Sequence, residues 1–154
     1  MRALIQRVTK ASVTVDGKKI SEIGKGILIL LGITHGDDEK DINYLSEKIS
    51  NLRIFEKDGK LDLSVRDVSG EMLLVSQFTL YGDCNKGRRP DFNDAASIEE
   101  ARTTFEKACR IFGNSDVPVK TGQFQANMQV ELMNDGPFTL MIESRRSPDG
   151  GKKV

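Results

Sequence analysis

The sequence predicts an α/β fold in which β-sheets stack on one another and two α-helices cover one side. Three observations carry that expectation. Several strand-length runs alternate apolar with polar residues, two longer segments repeat apolar residues every three or four positions, and the order is strands, helix, strands, helix, strands. At 154 residues the chain is long enough for one domain with a core and too short for two ordinary ones.

Residues 3–15 roughly alternate and are followed by Asp16-Gly17. This reads as one bent strand or two strands ending in a hairpin turn, with residues 18–23 as the partner. Gly24-Lys25-Gly26 then opens ILILLGI, a continuous apolar run best explained by burial on both faces. Asp37-Asp38 precedes the first helix, where Ile42, Leu45, Ile49 and Leu52 make one apolar stripe that packs on a sheet. Residues 53–55 and 61–65 flank a Lys57-Asp58-Gly59-Lys60 turn, and residues 71–81 read as another largely apolar strand. Ser97 and Glu100 have the spacing of a capping box. Ala101, Phe105, Ala108, Cys109 and Phe112 form the inner stripe of the second helix, with Gly113 expected just past its end. Finally Phe124, Ala126, Met128, Val130 and Leu132 alternate with polar residues. A turn at 134–137 and a strand at 138–142 would complete a hairpin. Residues 1–144 are read as a single domain and the polar, Gly-rich residues 145–154 as a flexible tail.

Composition narrows the function. Lys and Arg number 23 against 23 Asp and Glu, so no global basic field exists, and any nucleic-acid contact has to be local. Cys84 and Cys109 lack metal-ligand spacing and read as reduced thiols. The first residues lack the apolar run of a signal peptide, and the longest apolar run, 27–31, is far shorter than a membrane span. A soluble, cytoplasmic protein with no membrane association is expected.

Catalytic parts are scarce. The one histidine, His35, would have to serve any Ser-His-Asp arrangement, and a loop histidine is equally ordinary surface. No His/Cys cluster, GxxxxGK[ST] or GxGxxG occurs, so no metal or cofactor is expected. What remains is SQFTLYGD at 76–83, where an apolar strand delivers two hydroxyls, an amide and two rings before breaking at Gly82. The same residues would suit a strand whose polar side meets water, because nothing nearby activates Ser or Thr. KGRRPDF at 86–92 puts three cations and a ring on a loop, which can hold phosphates or simply be solvated. NDGPFTL at 134–140 poses a different problem. Pro137 stands where a return strand should pair, and it has no N–H to give.

Taken together, MRALIQRV, SQFTLYGD, KGRRPDF, TGQFQANMQVEL and NDGPFTL, in this order across the whole chain, resemble the D-aminoacyl-tRNA deacylase (D-Tyr-tRNA deacylase) family of bacteria and eukaryotes. The resemblance implies a homodimer whose monomer stacks sheets into a partly closed barrel with two helices on one side. It also implies an editing hydrolase that cleaves the ester of D-aminoacyl-tRNA and of glycine mischarged on alanine tRNA. Ser76, Gln77, Phe78 and Thr79 match the family's catalytic pocket for the 3′-terminal adenosine and the scissile ester, and Phe124 and Met128 match further pocket positions. Gly136-Pro137 matches a dipeptide with a cis peptide bond that enters the partner subunit's pocket, and Arg7 matches the residue holding it in place. L-residues would be excluded by main-chain oxygens of that dipeptide, and the tRNA's own 2′-hydroxyl would assist the attack. Two positions depart from the usual pattern: Phe138 stands where a smaller β-branched residue is common, and Arg88 where an uncharged polar one is. A sister branch with a trans Gly-Pro spells its strand motif differently from SQFTL. Alternatives are a non-catalytic protein that binds tRNA ends, and a deacylase using Thr79 as nucleophile.

Overall fold

The computed structural model describes residues 1–144, so the tail expected at 145–154 lies outside the described residues. Eight strands and two helices are described. They are β1 (Arg2–Val15), β2 (Lys18–Ile23), β3 (Gly26–Gly32), α1 (Glu39–Asn51), β4 (Phe55–Lys57), β5 (Lys60–Leu63), β6 (Glu71–Ser76), α2 (Ile98–Gly113), β7 (Val119–Thr121) and β8 (Met128–Glu143). The stacked sheets resolve as one six-stranded sheet curled into a nearly closed barrel, beside a separate β4-β5 pair.

β1 organises the curl. Its first half pairs with β3, its second half with β2, and β8 runs antiparallel along almost its whole length on the other side. The irregular pairing between Gln6 and Lys10 changes which side chains face inward. Ala3 and Ile5 belong to the core beneath the helices, whereas Val8, Ala11 and Val13 belong to the barrel interior. β3 pairs antiparallel with β1 and parallel with β6, so it is central. That position explains its unbroken apolar run: Ile27, Ile29 and Leu31 pack under the helices while Leu28 points into the barrel. β2 approaches the far edge through the Gly24 N–H, which donates to the Glu71 carboxylate at 2.8 Å, and through Lys120, which donates to the Glu22 carbonyl at 2.6 Å.

The helices start where their caps dictate. Asp38 accepts from the Lys40 N–H and Asp41 accepts in return from the Asp38 N–H, each at 2.9 Å, which satisfies donors that the first turn leaves open. Ile42, Leu45 and Ile49 are fully buried, and each contributes on the order of 1.5–3 kcal/mol. On α2, Ser97 accepts from the Glu100 N–H, but the Glu100 carboxylate turns away to accept from Gly36, so the box is half formed. Gly113 is the last helical residue and not the one beyond it. Asn114 ends the helix in a right-handed conformation, its N–H reaching the carbonyls of Arg110 and Ile111.

Three expected strands differ. The residues expected as one strand at 71–81 leave the sheet after Ser76 and form a 3-10 turn at Phe78–Tyr81. Residues 124–126 alternate like a strand yet form a turn, with Gln125 at a left-handed φ of 60°, and β8 begins only at Met128. No hairpin forms at 134–137. Asn134 pairs with Val8 and Thr139 with Gln6, so β8 continues in one direction and bulges outward by three residues more than β1 spans. Asn134 Nδ2 bridges the bulge by donating to the carbonyls of Arg7 and Phe138 at 3.0 and 3.1 Å. The Gly136-Pro137 bond is cis.

Candidate active site

Where β6 ends, the chain opens one wall of a cavity of about 510 Å³. Leu74 and Val75 are buried in the sheet, Ser76 and Gln77 are half-buried, and Phe78 is 57% exposed at the lip. The turn that follows is held from several sides. The Gln77 N–H donates to the Leu31 carbonyl at 2.8 Å, and Gly82 donates to the Thr79 carbonyl at 3.0 Å. Arg2 donates to the Leu80 carbonyl at 3.1 Å and lies 4.5 Å from the centre of the Tyr81 ring. Burial raises the Tyr81 hydroxyl far above its ordinary pKa, so it stays protonated. The turn can approach β3 because residue 32 is glycine: a Cβ there would lie 3.0 Å from Leu80 Cβ and 3.2 Å from the Gln77 carbonyl oxygen.

A second part of the lining comes from residues 124–128 and 130. Phe124 packs 5.9 Å from the Phe105 ring of α2, and the Arg102 guanidinium sits 5.0 Å from its centre while donating to the Gln125 side chain. Met128 turns inward at the start of β8, where its sulfur accepts from the Gln123 N–H at 3.4 Å. Gly122 makes room for that sulfur, since a Cβ would come within 2.7 Å of it. Ser76, Gln77, Phe78, Phe124 and Met128 thus line one cavity. The shared strand face expected for Phe124 and Met128 is not the reason. A turn closed by the left-handed Gln125 brings the two together.

The other candidates lie elsewhere. Thr79 is exposed beside the cavity, its hydroxyl accepting from the Gln77 side-chain amide. Arg7, Gly136 and Pro137 do not line it. Arg7 is 5% exposed and donates to three carbonyls, Ile54 at 2.6 Å, Asp135 at 3.1 Å and Gly136 at 3.3 Å. It also pairs with the Asp135 carboxylate at 3.0 Å, and the Phe138 ring lies 4.4 Å from its guanidinium. Gly136 and Pro137 themselves are exposed. His35 stays outside the cavity, with Nε2 3.0 Å from the Asn93 carbonyl and Nδ1 3.5 Å from Glu100.

Sequence reasoning missed Gln125, Asn127 and Ile98 in the lining, and Arg102 behind Phe124. Ile98, 60% exposed, carried the one available signal, an apolar residue directly after a helix cap. Among the described residues the cavity lining contains hydroxyl, amide, thioether and hydrocarbon groups and no ionisable side chain. Such a surface can orient a neutral ester and stack a base, and it has nothing to take a proton near neutral pH. Among the described residues no group of three or more His, Cys, Asp or Glu is arranged to hold a metal, and no helix is long and apolar enough to cross a membrane.

Comparison with known proteins places the chain in a family. The family described as D-Tyr-tRNA(Tyr) deacylase matches residues 4–143. A D-aminoacyl-tRNA deacylase of Fervidobacterium nodosum is 54% identical over 147 residues, 95% of this chain and 99% of that protein. Its counterpart in Clostridioides difficile is 52% identical over 148 residues, covering 96% and 99%. Among solved structures, a protein titled c-Myc DNA Unwinding Element Binding Protein superposes with a TM-score of 0.89 at 45% identity, covering 95% of this chain and all of that one. A probable eukaryotic D-amino acid tRNA deacylase at 16% identity shares the fold, with a TM-score of 0.76 over 92% of this chain. By the family match over residues 4–143 and the identity to its relatives, the chain belongs to the D-Tyr-tRNA(Tyr) deacylase family.

Proposed function

We propose that this protein is an aminoacyl-tRNA editing hydrolase of the cytoplasm, cleaving the ester between a D-amino acid, or glycine mischarged on alanine tRNA, and the 3′-terminal adenosine. The observation that carries the mechanism is the lining without an ionisable group. With no base among the described lining residues, the proton acceptor is assigned to the substrate or to water, and the ribose 2′-hydroxyl neighbours the ester. The protein's contribution is then orientation and dipolar stabilisation. Phe78 and Phe124 both line the cavity and offer rings for the adenine, as aromatic side chains do for unpaired bases. Ser76 and Gln77 supply the hydroxyl and amide beside the ester.

Nothing in the cavity itself reads the hand of an α-carbon, so that element has to enter from outside. The exposed Gly136-Pro137 tip, clamped by Arg7, is suited to do so in a second copy of the chain, presenting main-chain oxygens that an L side chain would meet. β8 also leaves one edge unpaired and exposes Met133, Leu140 and Met141, which favours a homodimer.

Matched D- and L-tyrosyl-tRNA test the activity: the D-ester is expected to be cleaved and the L-ester left intact, and equal cleavage of both refutes the reading. A second specific observation, the Thr79 hydroxyl held beside Gln77, keeps the nucleophile version open. Thr79→Ala with normal activity and no turnover of a 2′-deoxyadenosine substrate supports the RNA-assisted route, while the reverse pattern supports Thr79.

A further inference from the structure

The loop 83–91 is a closed neck with a charged tip. Asp83 and Asp91 exchange backbone hydrogen bonds at 2.7 and 2.9 Å, forming the neck, and each carboxylate is engaged by the asparagine two residues after it. Asp83 accepts from the Asn85 backbone and side-chain N–H groups at 2.8 and 2.6 Å, and Asp91 accepts from both of Asn93 at 2.7 Å. Between these acids the tip carries Lys86, Arg88 and Arg89 and no carboxylate. All three cations are exposed, and among the described residues none of them makes an ion pair. Asp83, Asp91 and Asp94 balance the three cations over residues 83–94, but the acids sit at and beyond the neck, so the positive charge is concentrated at the tip.

Its position gives it meaning. Phe92, directly after the neck, meets the ring of Phe78 edge-on at 5.2 Å, and a Cβ on Gly82 would lie 3.0 Å from the Phe92 ring. The loop is therefore fastened to the lip of the cavity. Arg89 is three residues from Phe92, so its Cα lies within about 11 Å of that of Phe92 even in an extended chain, and its side chain reaches further. A polynucleotide whose last base occupies the cavity and whose chain leaves past this lip runs its first phosphodiesters beside the tip.

We propose that Lys86, Arg88 and Arg89 bind the phosphodiesters immediately 5′ of the terminal adenosine. This inference rests on the RNA-end reading of the cavity. It makes the loop the element that distinguishes a polynucleotide substrate from an isolated aminoacyl-nucleoside, through contacts that position the backbone without reading bases. Removing three phosphate contacts to a single strand lowers the slope of log(kcat/KM) against log[salt] by about 2.

The experiment compares the unaltered protein with the K86Q/R88Q/R89Q variant on two substrates: a D-tyrosyl RNA minihelix and 3′-(D-tyrosyl)adenosine, which has no phosphate. The ratio of kcat/KM for the minihelix to that for the nucleoside ester is expected to fall about tenfold or more at physiological salt, with the salt slope reduced. Fluorescence anisotropy with an uncharged minihelix should show the same weakening without any chemistry. A test that leaves the protein untouched replaces the three phosphodiesters before the terminal adenosine by methylphosphonates, and the same loss is expected. An unchanged ratio and slope in the variant, or full activity on the methylphosphonate minihelix, overturns the proposal. Weakened minihelix binding in the variant, with no turnover of either D-ester by the unaltered protein, upholds the loop assignment and refutes the deacylase reading instead.

Discussion

Arg7 illustrates how one buried charge is made useful. Its guanidinium spends its donors on main-chain carbonyls at both ends of the fold, Ile54 after α1 and Asp135 and Gly136 in the β8 bulge. The planar fork can serve these acceptors at once, which a lysine cannot. Phe138, the departure noted beside the Gly-Pro dipeptide, supplies a ring 4.4 Å from the guanidinium and so fills the space behind it. Arg7→Ala is expected to lower stability by about 1–3 kcal/mol, mainly because the Ile54 carbonyl loses its buried donor. Urea denaturation measures that loss. Arg7→Lys should recover part of the stability and little of the discrimination between D- and L-esters, because the bulge would be held at fewer points.

At the level of elements, a few short-range hydrogen bonds decide where strands stop and turns begin. The segment after β5 is one case. Asp67 accepts from the Ser64 N–H and hydroxyl, each at 2.8 Å, and these bonds hold its carboxyl below the usual range. A depressed carboxyl pKa adds stability that is present above the unfolded-state value of about 3.9 and is lost as pH falls through the lower folded-state value. Asp67→Asn should therefore lower Tm at pH 7 and flatten the acid limb of the Tm profile below about pH 4. A parallel shift of the whole profile would argue against this role. The breaks at Ser76 and Gln125 belong to the same scale. In the first, Gln77 is bonded to Leu31 but the chain then turns over Gly32; in the second, a left-handed residue ends an alternating pattern that periodicity alone would extend.

For the molecule as a whole, the separation of the cavity from the Gly136-Pro137 tip is the consequential feature. If each tip serves the other subunit, mixing a tip-damaged Pro137→Arg protein with a cavity-damaged Phe78→Ala protein should restore activity. Random pairing makes about half the dimers mixed, each with one intact site of two, or about a quarter of the unaltered activity. No restoration would mean that the tip acts within its own chain. The helix stripes, the twice-buried β3 and the caps at Asp38 and Ser97 were legible in the sequence, because apolar spacing and cap chemistry act over a few residues. The cavity residues around SQFTL and Phe124 could be named from their resemblance to a family, though periodicity misassigned the local structure that unites them. Where NDGPFTL goes was not legible in local signals, since Asn-Asp-Gly is as fit for a reversal as for a bulge. Pairing with β1 decided it: strand partners on both sides of the dipeptide lie on the same neighbouring strand, so the chain had to continue and push residues 135–138 outward. The sequence by itself determined the two helices, their caps and the twice-buried central strand. The tertiary structure decided where strands break, that the loop carrying three cations is fastened at Phe92 to the lip of the cavity, and that a strand bulge stands away from it, because these follow from contacts between residues far apart in the chain.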